Sequence, residues 1–318
     1  HGVFRRQRQM CIRDSNYSGW ISFKSFAGKG VYLKHFQFHF STLDLYIYNG
    51  KSFIIFISNI MQKLKSILSI AGSDSSGGAG IQADIKTITT LGGYAASVIT
   101  AVTSQNTQGV QGIHDIPLSV IKSQIKSVID DIDVRVIKTG MLNNPNLIKF
   151  IGKNLSHKKL IVDPVMVAAS GDILVEKSLC KVIKVNLLPS AFLVTPNIYE
   201  AEILSGIPIK SIDDQIQSAK LIKSFGAKNV LVKGGHMNEK ILADVLLAGK
   251  KLEVFNHKKI ITKNTHGTGC TLASAIATKI AQGHKMSIAV KTSIDYVQVL
   301  LKKSPKIGKG NGPLAHNI

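Results

Sequence analysis

The feature that most constrains the fold is an alternation, from Met61 onward, of short apolar segments with longer amphipathic ones. The apolar segments are rich in Val, Ile and Leu and fit strands that are buried on both faces: 66–72, 95–103, 134–140, 159–165, 191–196 and 229–235. The amphipathic segments fit helices: 81–91, 117–131, 145–154, 175–187, 197–205, 213–225, 267–282 and 285–302. Such an alternation indicates a parallel sheet with helices packed on both faces.

Two regions depart from this alternation. Residues 241–262 contain two apolar segments joined by the turn AGKK, which predict antiparallel strands. Residues 1–60 are basic and aperiodic at first and then rich in aromatic residues, and we interpret Met61 as the natural start. We therefore predict a non-native or disordered extension over 1–60 and one α/β domain over 61–318, a three-layer α/β/α sandwich with a mostly parallel central sheet. A genuine extra strand or a targeting arm is the alternative for 1–60.

The net charge of +21, from 40 Lys and Arg against 19 Asp and Glu, invites a nucleic-acid interpretation. The basic residues are scattered along the chain, so we interpret them as a solvated surface that also attracts anionic substrates.

The three cysteines have no paired or zinc-binding spacing and predict free thiols in a reducing compartment. No apolar segment reaches the roughly 18 residues that cross a bilayer. We therefore expect a soluble cytoplasmic protein that binds neither nucleic acid nor membrane.

The first two predicted strands end in glycine and polar residues, at the edge where open α/β sheets bind ligands. The first strand leads into Gly72 and the stretch SSGGAG, whose backbone can approach a ligand closely, and Asp84 follows one turn into the next helix. The second ends at Gln105 and Asn106, whose amides suit the edge of a heterocycle. A capped tight turn and an ordinary polar loop explain the same residues without a ligand. The pattern GxxxxGK[ST] is absent from the chain, which excludes a P-loop kinase.

The later predicted strands end beside charged residues. Asp163 follows the fourth strand, and its burial is costly unless it is paired or faces a cleft. Asn197 and Glu200 follow the fifth, and they fit either an ordinary capping box or a carboxylate that organises Mg²⁺. The sixth strand leads into Lys233 and two glycines. Taken together, these residues predict a polar site at one edge of the sheet.

The stretch NTHGTGCT opens the helix predicted over 267–282 with two glycines and a lone cysteine, Cys270. The first N–H groups of a helix lack partners within the helix and favour anions, such as a phosphoryl group in transfer. The same dipole is expected to lower the pKa of Cys270. Cys270 then either accepts a proton from an attacking hydroxyl or anchors that hydroxyl. A small buried side chain at a helix start is the alternative without function.

Seven motifs in order resemble the bacterial hydroxymethylpyrimidine/phosphomethylpyrimidine kinase family of the ribokinase superfamily. They are AGSDSSGGAGIQAD, SQNTQGV, KTGML, VDPVMVAASGD, TPNIYEAE, VKGGH and NTHGTGCTLASAIA. The likeness covers Lys63 to His316, and the C-terminal GKGNGPLAH also looks like the end of this family. Many sugar kinases of the superfamily carry aspartate where Cys270 stands. At this position the chain resembles the hydroxymethylpyrimidine branch, which carries cysteine. The resemblance implies a ribokinase-like fold.

The resemblance also implies roles for individual residues. The amides of Gly267, Thr268 and Gly269 would form an anion hole, with Cys270 in the position of the catalytic base. The other implied contacts fall into three groups: Gln105, Gly72, Asp84, Val165 and Met166 for the pyrimidine; Asn197, Glu200, Lys233 and Thr265 for ATP; Glu200 and Asp163 for Mg²⁺.

The activity that the resemblance implies is ATP-dependent phosphorylation of 4-amino-5-hydroxymethyl-2-methylpyrimidine and then of its monophosphate, in thiamine diphosphate biosynthesis. The family likeness also suggests a homodimer. Pyridoxal kinase or a dual-specificity enzyme is the nearest alternative, because pyridoxal offers a hydroxymethyl group on a six-membered nitrogen ring. An alternative of another class is a non-catalytic regulator that senses a pyrimidine phosphate and carries a DNA-binding arm in residues 1–60.

Overall fold

The computed structural model describes residues 31–38, 41–48, 51–53, 64–166, 177–235 and 240–317. The chain divides into two compact units, His1–Lys63 and Leu64–Ile318. In the first unit, β1 (Val31–Phe38), β2 (Ser41–Tyr48) and β3 (Lys51–Phe53) form an antiparallel sheet in that order. The interpretation of residues 1–60 as a non-native or disordered extension stays a prediction.

The second unit is built on a nine-stranded sheet in the order β12-β11-β10-β9-β8-β7-β4-β5-β6. The pairs from β5 through β4, β7, β8 and β9 to β10 are parallel, whereas β6, β11 and β12 run antiparallel to their neighbours. The predicted mostly parallel sheet is confirmed. The strands are β4 (Ser66–Asp74), β5 (Tyr94–Asn106), β6 (Gly109–Asp115), β7 (Val134–Thr139), β8 (Lys159–Val162), β9 (Ala191–Val194), β10 (Asn229–Val232), β11 (Ile241–Ala248) and β12 (Lys251–Lys258).

Eight α-helices are described between and after these strands. Residues 175–187 were predicted as one helix, but the described part changes at Val182 from an α-helix to a π-helical turn over Ile183–Leu187 and a 3₁₀ turn over Leu188–Ser190. The helices are α1 (Gly80–Thr90), α2 (Leu118–Asp131), α3 (Pro145–Asn154), α4 (Lys177–Val182), α5 (Ile198–Ser205), α6 (Ile212–Ser224), α7 (Thr268–Ala281) and α8 (Met286–Lys302).

Two apolar clusters on opposite faces of the sheet make the three layers. Neighbouring strand residues point to opposite faces, so that Ile67 and Val136 join one cluster while Leu68 and Ile137 join the other. Helices α1, α7 and α8 cover the first cluster, and helices α2 to α6 cover the second. Strands that are apolar on both sides thus explain why helices pack on both faces, as predicted.

The order of the strands shows where a site is expected. The chain leaves β4 to form β5 on one side and returns to place β7 on the other side. Ligands in open α/β sheets bind beyond the strand ends at such a switch point. No helix in the described part of the chain is long and apolar enough to cross a membrane.

Candidate active site

A cleft of about 1000 Å³ runs along the carboxyl ends of the parallel strands. Gly72, Gln105 and Val165 line one end. The amides and side chains at the start of α7 line the middle together with the loops after β8 and β10. The other end is lined mainly by Leu242, Ile260, Val297, Leu301, His257 and Gln298. The cleft therefore joins the predicted heterocycle end to the predicted anion site.

The first turn of α7 lines the middle of the cleft with its backbone. Gly267 adopts a left-handed conformation with φ 81° and is the N-cap residue. The N–H of Thr268 donates to the carbonyl of Thr265 at 3.2 Å, so this amide already has a partner. The amides of Gly269 and Cys270 follow in the first turn, where a helix supplies no preceding carbonyl. The predicted anion hole thus rests mainly on these two amides, rather than on Thr268.

A buried ion pair lies against this turn. Lys233 Nζ lies 2.8 Å from Asp163 Oδ1, which also accepts a hydrogen bond from Thr195 Oγ1 at 3.1 Å. A Cβ atom on Gly269 would lie 3.3 Å from Lys233 Nζ and 3.7 Å from Asp163 Oδ2. Burial lowers the pKa of Lys233, but the negative charges of Asp163 and Glu200 more than offset it, so that the net shift is upward. A fixed positive charge therefore stands beside the amides of the predicted anion hole.

Cys270 lines the cleft and is partly buried. Burial raises the pKa of the thiol to about 11, against the lowering effects of the Lys138 charge and of a hydrogen bond from the Gly80 amide. The predicted lowering of the pKa by the helix dipole is therefore wrong for this structure. The physical reason is that loss of water around the thiolate outweighs the nearby positive groups. At neutral pH the resting side chain is a thiol.

Asn197 and Glu200 form a capping box at the start of α5. Asn197 Oδ1 accepts from the Glu200 amide at 3.0 Å, and Glu200 Oε2 accepts from the Asn197 amide at 2.8 Å. The second carboxylate oxygen, Oε1, accepts from the amide of Met166 at 3.4 Å. Burial raises the pKa of Glu200 to about 7, partly opposed by Lys233. Glu200 thus ties the loop after β8 to α5, because both of its oxygens bind backbone amides.

Gln105 and Val165 line the heterocycle end of the cleft, as predicted, and so does Gly72. Gln105 Oε1 accepts from Thr103 Oγ1 at 3.1 Å, which orients the amide. A Cβ atom on Gly72 would lie 2.6 Å from Met141 Cε, so the absence of a side chain leaves room for Met141 in the wall. Thr265, predicted to contact ATP, also lines the cleft.

Asp84 and Met166 do not line the cleft, so their predicted direct contacts with the pyrimidine need correction. Asp84 is fully buried, and both of its oxygens lie 2.9 Å from Lys138 Nζ. Ser69 and Ser274 donate further hydrogen bonds to the same carboxylate. Met166 is buried and packs with its sulfur 3.9 Å from that of Cys180. The motifs place both residues close to the site in the sequence. In the structure their side chains are buried and do not line the cleft.

Sequence reasoning missed a buried contact between Asp74 and His266. Asp74 Oδ2 lies 2.7 Å from His266 Nε2 and also accepts from the amides of Gly78 and Ala79 at 3.0 and 2.8 Å. The contact joins the glycine-rich loop after β4 to the residue just before Gly267. Both residues stand inside quoted motifs, GSDSS and NTHG, so a signal was present, but no local pattern pairs positions so far apart in the chain.

A second missed group lies at the far end of the cleft. His257 Nε2 is 3.1 Å from Asp244 Oδ2, and His257 Nδ1 is 3.1 Å from Gln298 Nε2. Asp244 Oδ1 also accepts from the amide of Gly234 at 2.7 Å. The hydrogen bond to Asp244 raises the pKa of His257, although burial opposes it. This group ties the edge strands to the glycine that follows Lys233.

A family model described as phosphomethylpyrimidine kinase matches residues 74–315. The chain belongs to this family. The resemblance drawn from the seven motifs is confirmed. Among the relatives, the hydroxymethylpyrimidine/phosphomethylpyrimidine kinase of Haemophilus influenzae is 41% identical over 263 residues, which cover 80% of this chain and 98% of that protein.

One of the relatives is a longer, bifunctional protein. The thiamine biosynthesis bifunctional protein of Geobacter sulfurreducens is 45% identical over 254 residues, which cover 79% of this chain and 52% of that protein. The chain thus spans about half the length of that relative.

Solved structures confirm the ribokinase-like α/β fold. The phosphomethylpyrimidine kinase of Clostridium difficile matches with a TM-score of 0.66 and 41% identity, over 74% of this chain and 98% of that one. An ADP complex of Bacillus subtilis pyridoxal kinase matches with a TM-score of 0.74 and 33% identity, over 80% of this chain and 97% of that one. Of these two structures, the Clostridium difficile kinase has the higher sequence identity to this chain, and the Bacillus subtilis pyridoxal kinase has the higher TM-score.

Proposed function

We propose that this chain uses ATP to phosphorylate the hydroxymethyl group of 4-amino-5-hydroxymethyl-2-methylpyrimidine and then the resulting monophosphate, in thiamine diphosphate biosynthesis. The names of the Haemophilus influenzae and Bacillus subtilis relatives, both hydroxymethylpyrimidine/phosphomethylpyrimidine kinases, support this activity. The ADP and AMP-PCP complexes of related pyridoxal kinases support ATP as the phosphoryl donor. We further propose a cytoplasmic homodimer, on family likeness alone.

One observation carries the proposal. A single cleft contains Gln105 at one end and, in its middle, the amides of Gly269 and Cys270 beside the Lys233–Asp163 pair. A heterocycle held by the Gln105 amide would place its substituent toward these amides. An anionic phosphoryl group would meet two backbone donors and a lysine charge there, and phosphoryl transfer depends chiefly on such positioning and charge stabilisation.

The chain's own residues would act as follows. Gln105 would orient the aminopyrimidine, with Val165 and Met141 as walls. The hydroxyl oxygen would attack the γ-phosphorus, and the bond between that phosphorus and the bridging oxygen of ADP would break. The hydroxyl proton would pass to an oxygen of the transferred phosphoryl group. Charge on the transferred group would be stabilised by the amides of Gly269 and Cys270 and by Lys233. The second substrate carries a phosphate, which the positive surface would attract.

The donor set near the anion hole fits Mg²⁺ that is held mostly by phosphates and water. No group of three or more metal-ligating side chains occurs in the described ranges. Asp163 Oδ2 lies beside Gly269, whereas both oxygens of Glu200 accept from backbone amides. We therefore propose Asp163 as a ligand and Glu200 as a support that acts through water. Bound Mg²⁺ would neutralise phosphate charge, and it normally keeps several waters and binds few protein carboxylates.

Cys270 has a narrower role in this proposal than the family position alone implies. Because burial raises the pKa of its thiol to about 11, a resting thiolate is scarce at neutral pH. We propose that the thiol anchors the attacking hydroxyl by a hydrogen bond. The role of proton acceptor stays the alternative.

The decisive experiment identifies the products formed from the pyrimidine alcohol, ATP and Mg²⁺ by mass spectrometry. We expect the monophosphate first and the diphosphate later, and the absence of both would refute the activity. Cys270→Ala should lower kcat by about 10²-fold, the low end of what a positioned acid–base group contributes. Cys270→Ser should recover most of that loss if the side chain anchors the hydroxyl. Cys180→Ala, at a cysteine outside the cleft, is the matched control and should leave kcat unchanged.

Pyridoxal is the second candidate substrate. The backbone of the chain matches pyridoxal kinases with a TM-score of 0.74, and one of these is solved with AMP-PCP and pyridoxal. Comparing kcat/KM for the two alcohols in one ATP-consumption assay tests the choice. A higher kcat/KM for pyridoxal would replace the pyrimidine as the primary substrate.

A further inference from the structure

The segment that follows α8 contacts three of the loops that line the cleft. We call residues Gly308–His316 the C-terminal strap. The Asn311 amide donates to the carbonyl of Thr107 at 2.7 Å, in the turn just after Gln105. The Gly312 carbonyl accepts from the His266 amide at 3.1 Å, just before the anion-hole glycine. The strap therefore bridges the loop that would read the heterocycle and the loop that would hold the phosphoryl group.

Two glycines allow the strap to lie this close to Thr107. Gly308 has φ 80°, and a Cβ atom there would lie 2.2 Å from Thr107 Oγ1. At Gly310 a Cβ atom would lie 2.0 Å from the carbonyl oxygen of Thr107. The Gly310 amide also donates to Thr107 Oγ1 at 3.2 Å. A side chain at Gly310 must push the β5–β6 turn away, because the clashing atom belongs to the backbone.

The far end of the strap is anchored in the domain. Leu314 and Ala315 are each 3% exposed. His316 Nε2 lies 2.9 Å from Thr271 Oγ1, in the residue next to Cys270, and the His316 carbonyl accepts from Thr90 Oγ1 at 3.2 Å. This end of the strap is therefore held beside the start of α7.

The middle of the strap meets the Asp74–His266 contact. Pro313 pairs with His266 along the backbone, and a Cβ atom on Gly78 would lie 3.2 Å from Pro313 Cβ. His266 thus holds the strap through its amide and Asp74 through its ring. The loop after β4, the segment that leads into α7 and the strap therefore meet at this junction.

We propose that the C-terminal strap is a positioning element of the phosphoryl-transfer site: it sets the separation between the Gln105 loop and the amides of Gly269 and Cys270. This inference rests on the function proposed above. A hydroxyl and a phosphorus atom react only within a narrow range of distance and angle, and a displacement of about 1 Å can cost about 10²-fold in rate. Gln105 lies at the end of β5, and Gly269 and Cys270 lie in the first turn of α7, so the separation is that between a strand end and a helix start. Ser75 holds the backbone of Gln105 from the loop after β4, and the strap holds the adjoining turn at Thr107.

Gly310→Ala in the full chain is the first test. We expect KM for the pyrimidine alcohol to rise about tenfold and kcat to fall by about 10- to 100-fold, because the Gln105 loop shifts away from the anion hole. KM for ATP should rise less than KM for the pyrimidine alcohol, because the strap contacts the segment that contains Thr265 but not the far end of the cleft. Gly112→Ala on β6 is the matched control, because a Cβ atom there meets Ser104 at an ordinary 3.8 Å. Equal kinetics for the two variants would overturn the proposal.

Two further measurements separate positioning from folding and from the proposed function. Thr107→Val keeps the side-chain shape but removes the hydroxyl that accepts a hydrogen bond from the Gly310 amide. It should also raise KM for the pyrimidine alcohol, but by less than Gly310→Ala does. Hydrogen exchange should quicken in Gly310→Ala at residues 106–109 and 264–267 while α3 stays protected. Uniformly faster exchange, or none at 264–267, would overturn the proposal. If the wild-type chain phosphorylates neither alcohol, the proposed function fails, while the exchange measurement still tests the strap.

Discussion

At the scale of single residues, the buried pair of Lys138 and Asp84 is costly to disturb because neither charge reaches water. Both side chains are 0% exposed, and the carboxylate also binds Ser69 and Ser274. Removing one partner of such a pair leaves an uncompensated charge away from water. The pair connects β7 to α1 and α7, the helices that begin beside the anion hole.

We predict that Lys138→Met lowers the free energy of unfolding by about 3–5 kcal/mol, measured by urea denaturation at pH 7. Adding Asp84→Asn should recover part of the loss, because the buried charge is then gone. The matched control is Lys126→Met, at the exposed Lys126–Asp130 pair on α2, which should cost no more than about 1 kcal/mol. Equal losses for Lys138→Met and Lys126→Met would contradict the prediction.

At the scale of elements, Asp74 links the loop after β4 to the segment that leads into α7. Burial alone would raise the pKa of Asp74, but hydrogen bonds from His266, Ser76 and Ala79 lower it from 3.8 to about 2. A carboxyl whose pKa is lower in the folded state stabilises the fold above its unfolded pKa. That stabilisation is lost as the pH falls through the folded pKa.

We predict that Asp74→Asn costs about 2 kcal/mol at pH 6, and that the difference from wild type shrinks as the pH falls from 5 to 3. Urea midpoints measured across this pH range test the slope. Asp213→Asn, at an exposed carboxylate in the first turn of α6, serves as the control and should show no comparable slope. A difference that is the same at every pH would show that the charge of Asp74 contributes nothing to stability.

At the scale of the whole molecule, the compact unit Leu64–Ile318 contains the cleft and every residue assigned to the reaction. We predict that a chain starting at Met61 keeps the kcat, KM and thermal midpoint of the full chain. Activity assays and thermal unfolding of the two chains make the comparison. A loss of activity in the shorter chain would give residues 1–60 a role, whereas full kinase activity would dispose of the hypothesis of a non-catalytic regulator.

The sequence by itself determined the order of the parallel strands and their helices, and it predicted the candidate site at one edge of the sheet. Burial on both faces of a strand and a helix that begins with glycines are both local patterns. Gln105, Val165, Lys233 and Cys270 all line the cleft for this reason. The short strand β6 was missed because its half of the β5–β6 hairpin is largely exposed and polar.

Only the tertiary structure decided how buried each group is and what it meets. Asp84 and Met166 belong to the right motifs, but packing places them behind the wall of the cleft. Asp74 meets His266, and the strap meets Thr107, across long stretches of sequence. The thiol of Cys270 has a raised pKa rather than a lowered one, because the removal of water depends on all the elements that surround a group and on no single helix.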